Sequence, residues 1–198
     1  MSQIYWTARW LLTLGALLIS MPAVAASAMS LVAAARTQIG VTVIYDSAYV
    51  QMAFPGGDVP VDRGVCTDVV IRAYRTVFDF DLQKAVNADM RANFSAYPRH
   101  WGLRRTDSNI DHRRVPNLQV FFRRKGQDLS VNANPAVYQP GDLITQILPG
   151  NLPHIGIISD RKSVSGVPLV IHNIGHGVKE EDSLFSYRIT GHYRFSPE

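Results

Sequence analysis

Arg63-Gly64-Val65-Cys66-Thr67-Asp68, running on into Val69-Val70-Ile71-Arg72-Ala73-Tyr74-Arg75, decides how the rest of the chain is read. Cys66 is the only cysteine among 198 residues. From Thr67 to about Phe78, apolar residues fall at Val69, Val70, Ala73, Tyr74 and Val77. That spacing predicts a helix with one buried face, and Asp68 in its first turn suits the positive end of the helix dipole. Cys66 is therefore expected at a helix N-terminus, where the dipole lowers a thiol pKa and free N–H groups can bind a developing oxyanion. Gly64 lets the chain turn sharply into that helix. An unpaired thiol is either such a nucleophile or a small buried hydrophobe.

Upstream, the first 28 residues carry no acid and one cation, Arg9. Trp10 to Ile19 is almost wholly apolar, and Pro22 and the run Ala23-Val24-Ala25-Ala26-Ser27-Ala28 follow. This pattern predicts a secretory signal peptide over 1–28, cleaved after Ala25, Ala26 or Ala28. The apolar run falls short of the ~20 residues that span a bilayer, so no stable membrane span is expected after cleavage. The remaining 29–198 suits a single domain, expected to be a monomer in the periplasm or secreted.

Without the leader, 19 basic residues face 16 acidic ones, a net +3. Nine cations crowd between Arg91 and Lys125, against Asp107 and Asp111 alone. Such a cluster either attracts a polyanion or pairs locally on a solvated face. For an exported chain, an anionic wall polymer is the better polyanion, and no nucleic-acid partner is expected.

Downstream, Met29 to Gln38 and Asp81 to Phe94 read as helices, and Leu118 to Arg123 as a strand or short helix. Pro98 to Pro116 is polar and irregular. The last third alternates turns with apolar runs: Leu143–Leu148, His154–Ser159, Pro168–Asn173 and Ile189–Phe195. Helices first and a β-meander after give an α+β class, with N-terminal helices packed on a C-terminal antiparallel sheet.

A thiol nucleophile needs a base held by a third group. Of six histidines, His154 begins one apolar strand and His172 ends the next. In an antiparallel hairpin those two positions are neighbours, so both imidazoles are expected at one end of the sheet. Cys66 would reach them there, with His154 as base and His172 as orienter; His176 and Asn173 are the other candidates for the third role. The same three side chains are also zinc-compatible, but no close-spaced ligand pair is present, and neither a metal nor a cofactor is expected.

The chain resembles a bacterial exported family, number 1287 among the domains of unknown function, from about Ala33 to Phe195. Gly64-Val65-Cys66-Thr67-Asp68-Val69-Val70, Asn109 to Asn117, Leu148 to Gly156 and Ile171-His172-Asn173-Ile174-Gly175 carry the resemblance. More distantly, Gly141-Asp142-Leu143, His154-Ile155-Gly156-Ile157 and Ile171-His172 are similar to the NlpC-type cell-wall peptidases, a papain-like group. Val65 stands where that group has an acid, and Thr67-Asp68 where it has Ser-Gly. The resemblance implies a papain-like fold and a cysteine peptidase or amidase acting on peptidoglycan or its peptide fragments. It further implies that Tyr45, Thr67 and Asp68 lie where substrate is bound. A non-catalytic wall-binding or metal-binding protein is the alternative.

Overall fold

The structure, a computed structural model, describes residues 23–197. Residues 1–22 of the expected leader fall outside the described residues, and the expected cleavage positions Ala25, Ala26 and Ala28 lie in the first helix. Among the described residues there are four α-helices: α1 (Ala23–Arg36), α2 (Cys66–Phe78), α3 (Leu82–Ala92) and α4 (Val115–Lys125). Two short strands, β1 (Ile44–Tyr45) and β2 (Arg63–Gly64), pair in parallel just before α2. The remaining strands are β3 (Gln127–Leu129), β4 (Leu143–Leu148), β5 (Leu152–Lys162), β6 (Pro168–Asn173), β7 (Val178–Glu181) and β8 (Arg188–Arg194). They form one antiparallel sheet in the order β3-β8-β4-β5-β6-β7. The protein is thus a mixed helix-and-sheet domain. Among the described residues no helix is long and apolar enough to cross a membrane.

The helix expected from Met29 begins earlier, at Ala23. The segment read as strand or short helix is α4, whose start is fixed by Pro at its first turn, where a missing N–H costs nothing. Asp81 is not inside α3 but caps it, its carboxylate accepting from the Gln83 N–H at 3.0 Å.

The main core lies between the helices and one face of the sheet. Val69, Val70, Ala73 and Tyr74 of α2 pack with Ile155 and Ile157 of β5, Ile171 of β6 and Leu143 of β4. Each large aliphatic side chain buried this way contributes about 1.5–3 kcal/mol. Tyr74, Phe121, Phe122, Tyr193 and Phe195 form an aromatic knot beneath it, and the Tyr74 hydroxyl donates to the Phe195 carbonyl at 2.8 Å. Across the sheet, Tyr138, Ile144, Ile158, Val170 and Leu184 make a smaller cluster.

Asp142 explains why Gly-Asp-Leu opens β4. Its buried carboxylate accepts from Gln139 N–H, from His192 Nε2 at 2.7 Å and from Arg194 Nε at 2.7 Å. It thereby clamps β8 to the head of β4.

One buried ion pair sets the approach to α2. Arg113 donates from Nε to Asp68 Oδ1 and from a terminal nitrogen to Asp68 Oδ2, both at 2.9 Å. Its side chain is 1% exposed and that of Asp68 3%. Arg113 also donates to the carbonyls of Asp46 and Ala48, so the pair ties three segments together. Breaking a buried pair strands the surviving charge, at a cost of about 3–5 kcal/mol. Arg113→Ala is therefore expected to lower unfolding free energy by about that much in urea titration; a loss below ~1 kcal/mol would show the pair to be peripheral.

Candidate active site

Cys66 is the first residue of α2, and Val65 precedes it in an extended conformation. Asp68 Oδ2 accepts from the Val65 N–H at 2.7 Å, satisfying one of the helix's orphan donors. A Cβ on Gly64 would stand 3.0 Å from both Cβ and Oδ2 of Asp68, so only glycine lets that carboxylate fold back. The Gly64 carbonyl in turn accepts from Asn173 Nδ2 at 3.0 Å, and Thr67 Oγ1 donates to the Arg113 carbonyl at 3.2 Å. The turn that presents the thiol is braced from β6, α2 and the 111–113 helical turn.

The thiol is 5% exposed. Burial pushes its pKa up to about 11, opposed by hydrogen bonds from the backbone N–H groups of Ile155, Thr67 and Cys66 itself. The nearby Asp68 charge pushes the same way as burial. The sequence-level expectation of a thiol acidified by the helix end is thus outweighed by desolvation in the ligand-free state.

The β5–β6 ladder runs through Ile158↔Val170 and Ile157↔Ile171. Beyond that pair the Ile155 amide faces the sulfur and Asn173 reaches Gly64. The N-terminus of α2 sits against Ile155 of β5 and Asn173 of β6.

His154 and His172 meet at the same place. His154 Nε2 lies 2.7 Å from His172 Nδ1, and His172 Nε2 lies 3.0 Å from Glu181 Oε1 on β7. Both rings are buried. Gly156 opens the surface between them: a Cβ there would meet Val170 Cγ1 at 2.5 Å and His172 Cβ at 3.3 Å. Burial lowers both imidazole pKa values, that of His154 to about 3, while Glu181 partly offsets the effect on His172.

Those neutral rings have a defined tautomer. A carboxylate only accepts, so His172 carries its proton on Nε2 and offers Nδ1 as acceptor. His154 must then donate from Nε2, which leaves its Nδ1 with a free lone pair. The chain Glu181–His172–His154 thus fixes which nitrogen of His154 is basic.

Side chains alternate across a strand. Ile155 and Ile171 point into the helix-side core, so His154 and His172 leave the sheet toward the smaller cluster. The thiol lies with the helix-side core and the imidazole pair on the other face of the sheet. Pro153, next to His154, lines a cleft of about 210 Å³ together with Cys66, Tyr45, Trp101 and Arg114.

The expected site residues fall into two groups. His154 and His172 are paired with each other, Cys66 meets the backbone of the neighbouring Ile155, and Tyr45 lines the cleft with the thiol, which neither histidine does. Thr67 and Asp68 do not face the cleft as substrate contacts. Both are buried, one bonded to the Arg113 carbonyl and the other to the Arg113 guanidinium. Asn173 braces the cysteine turn, and His176 is exposed. Glu181 and Arg113 were not foreseen. Glu181 lies in a charged run, Lys179-Glu180-Glu181-Asp182, with no strand signature. Only the pairing of β7 with β6 brings it under His172. Among the described residues, no group of three His, Cys, Asp or Glu side chains is arranged to hold a metal ion.

The basic run is largely paired. Arg113, Arg114, Arg123, Arg124 and Lys125 each contact an aspartate, among them Asp68, Asp89 and Asp128 from outside the run.

Fold and site together define a mixed helix-and-sheet domain with a buried thiol at a helix N-terminus and a carboxylate–histidine–histidine chain on the neighbouring strands. The chain belongs to the family described as Domain of unknown function (DUF1287), which it matches over residues 32–195. It is also 56% identical over 161 residues to the Uncharacterized protein YijF of Escherichia coli (strain K12), covering 81% of this chain and 78% of that relative.

A thiol raised to about 11 reacts as its minor thiolate at neutral pH. Alkylation of the native protein by iodoacetamide is therefore expected to accelerate about tenfold per pH unit through the alkaline range. A rate already saturated at neutral pH would show instead a thiolate stored in the resting state.

Proposed function

We propose that this protein is an exported cysteine-dependent amide hydrolase of papain-like, NlpC-type architecture, acting in the periplasm or outside the cell on peptide or amide bonds of peptidoglycan. The observation that carries this reading is the chain from Glu181 through His172 to His154, the residue next to the Ile155 amide that faces the Cys66 sulfur. Such a chain is what a general base requires: a held ring, a fixed tautomer and a partner for the charge that develops.

The resting pair is neutral, a protonated thiol beside an uncharged imidazole. Proton transfer is therefore coupled to attack. As Cys66 Sγ bonds to the amide carbonyl carbon, its proton passes by way of one water to His154 Nδ1, since the ring leaves β5 on the face opposite the thiol, and the carbonyl π electrons move onto oxygen. The Cys66 N–H would receive that oxyanion, a donor worth roughly 3 kcal/mol. His154 then gives the proton to the leaving nitrogen as the C–N bond breaks. A water, deprotonated by the same ring, releases the acyl group and restores the thiol. Entry of substrate into the cleft removes remaining water and strengthens each of these charge contacts.

Cys66→Ala is expected to abolish release of soluble fragments from purified peptidoglycan, with an unchanged thermal unfolding midpoint. Retained cleavage would sink the mechanism. Sacculus binding with no products from wild type at any pH would select a non-catalytic wall-binding protein.

Glu181 acts through His172, so it is a positioning residue. Glu181→Gln, which can present an amide N–H to His172 and so permit the other tautomer, is expected to lower kcat about tenfold to a hundredfold with KM little changed. Glu181→Asp should recover part of the loss. An unchanged kcat in Glu181→Gln would remove the carboxylate from the proton path.

A further inference from the structure

Taking the hydrolase reading as its base, we infer that Arg114 and Trp101 form a carboxylate-recognition subsite in the Cys66 cleft, so that the preferred ligand is a peptide bearing a free carboxylate beside the bond under attack.

Arg114 differs from its neighbour in sequence. The Arg113 guanidinium is taken up inside the fold by Asp68 and two backbone carbonyls. Arg72, the other buried arginine, is likewise saturated by Asp58, Thr42 and several carbonyls. Arg114 makes one side-chain hydrogen bond among the described residues, a long one of 3.3 Å to Asp111 Oδ1. A guanidinium carries five N–H donors, so most of its recognition capacity is unused. Its nitrogens are not sealed from solvent as orphans, either: none is among the buried atoms left without a partner.

Where those donors sit matters more than their number. Arg114 lines the same cleft as Cys66 and Tyr45. Its guanidinium lies 4.0 Å from the centre of the Trp101 ring. Stacking of this kind holds the planar fork in one orientation and lowers the entropy cost of engaging a ligand. Trp101, the only tryptophan beyond the expected leader, is 39% exposed. An exposed indole at a cleft mouth is a contact surface for a peptide backbone or sugar ring. None of the residues lining the cleft is acidic. Asp111, the one acid touching Arg114, is 1% exposed and is already engaged by the Asp107 N–H at 2.5 Å.

The cleft therefore offers the Arg114 guanidinium among largely apolar walls, with Asp111 and Asp107 behind it rather than in the lining. Burial works against the Arg114 charge, and an incoming carboxylate relieves that cost by supplying a counter-ion in bidentate geometry. A neutral amide of the same shape gains only one weaker, uncharged hydrogen bond. Wall peptides, with free carboxylates along the chain, meet the requirement.

The test uses the full mature chain carrying Cys66→Ala, so that binding is read without turnover. Two probes are titrated by calorimetry: N-acetyl-Ala-γ-Glu-Lys-Ala with its glutamate α-carboxylate free, and the same peptide with that group as the carboxamide. The carboxylate form is expected to bind roughly tenfold or more tightly, as a charge-assisted bond implies. Adding Arg114→Gln should erase the difference, Arg114→Lys should keep part of it, and Trp101→Ala should weaken both peptides. Equal binding of the two peptides, no binding of either, or a difference that survives Arg114→Gln would each overturn the subsite. Failure of wild type to cleave wall peptides, with the binding difference intact, would instead count against the hydrolase reading and leave the subsite standing.

Discussion

The buried pair of Asp68 and Arg113 is the contact on which the site's geometry depends. One carboxylate performs two jobs: it caps the Val65 amide at the head of α2 and receives the Arg113 fork. Arg113 then reaches the carbonyls of Asp46 and Ala48. The loop bearing Tyr45, the cysteine turn and the turn ahead of α4 are thereby locked to one another. A charge pair so deeply buried repays its desolvation only when every donor and acceptor is filled, and here both oxygens and all the fork's directions are used. Its value is positional: it holds Cys66 and Arg114 on the two walls of one cleft.

A second constraint follows from burial. A helix N-terminus favours a thiolate, yet the Cys66 thiol is held well above its ordinary range because solvent is excluded. The imidazoles answer in the same way and lose their protons. Desolvation therefore stabilises the uncharged pair at both ends, and the carboxylate of Glu181 is the one fixed charge in the relay. It selects a tautomer without creating an ion pair. On the proposed hydrolase reading, such an arrangement would keep the thiol quiet until a ligand supplies new dipoles.

Much of this was readable before any coordinate. The apolar spacing from Val69 to Val77 gives α2 almost to the residue, and the apolar runs around His154 and His172 give β5 and β6. Hairpin geometry alone puts those imidazoles side by side. What escaped was long-range. Asp68 looks like a helix-dipole residue because local sequence cannot show Arg113 arriving from 45 positions away. β7 is polar on its exposed edge and carries no alternating apolar run, so Glu181 has no strand to be assigned to. The basic run looked unopposed since its partners Asp68, Asp89 and Asp128 lie outside it.

The same long-range view separates the two adjacent arginines, which sequence presents as equivalent. Position along the 111–114 turn sends one guanidinium inward to an acid and leaves the next against an indole at the cleft wall. An arginine satisfied inside the fold contributes rigidity and nothing to recognition. An arginine held in plane by an aromatic ring, with donors to spare, contributes direction to a cleft that otherwise has little polarity. The inward residue therefore fixes where the outward one stands, and the buried ion pair becomes the frame from which the cleft is read.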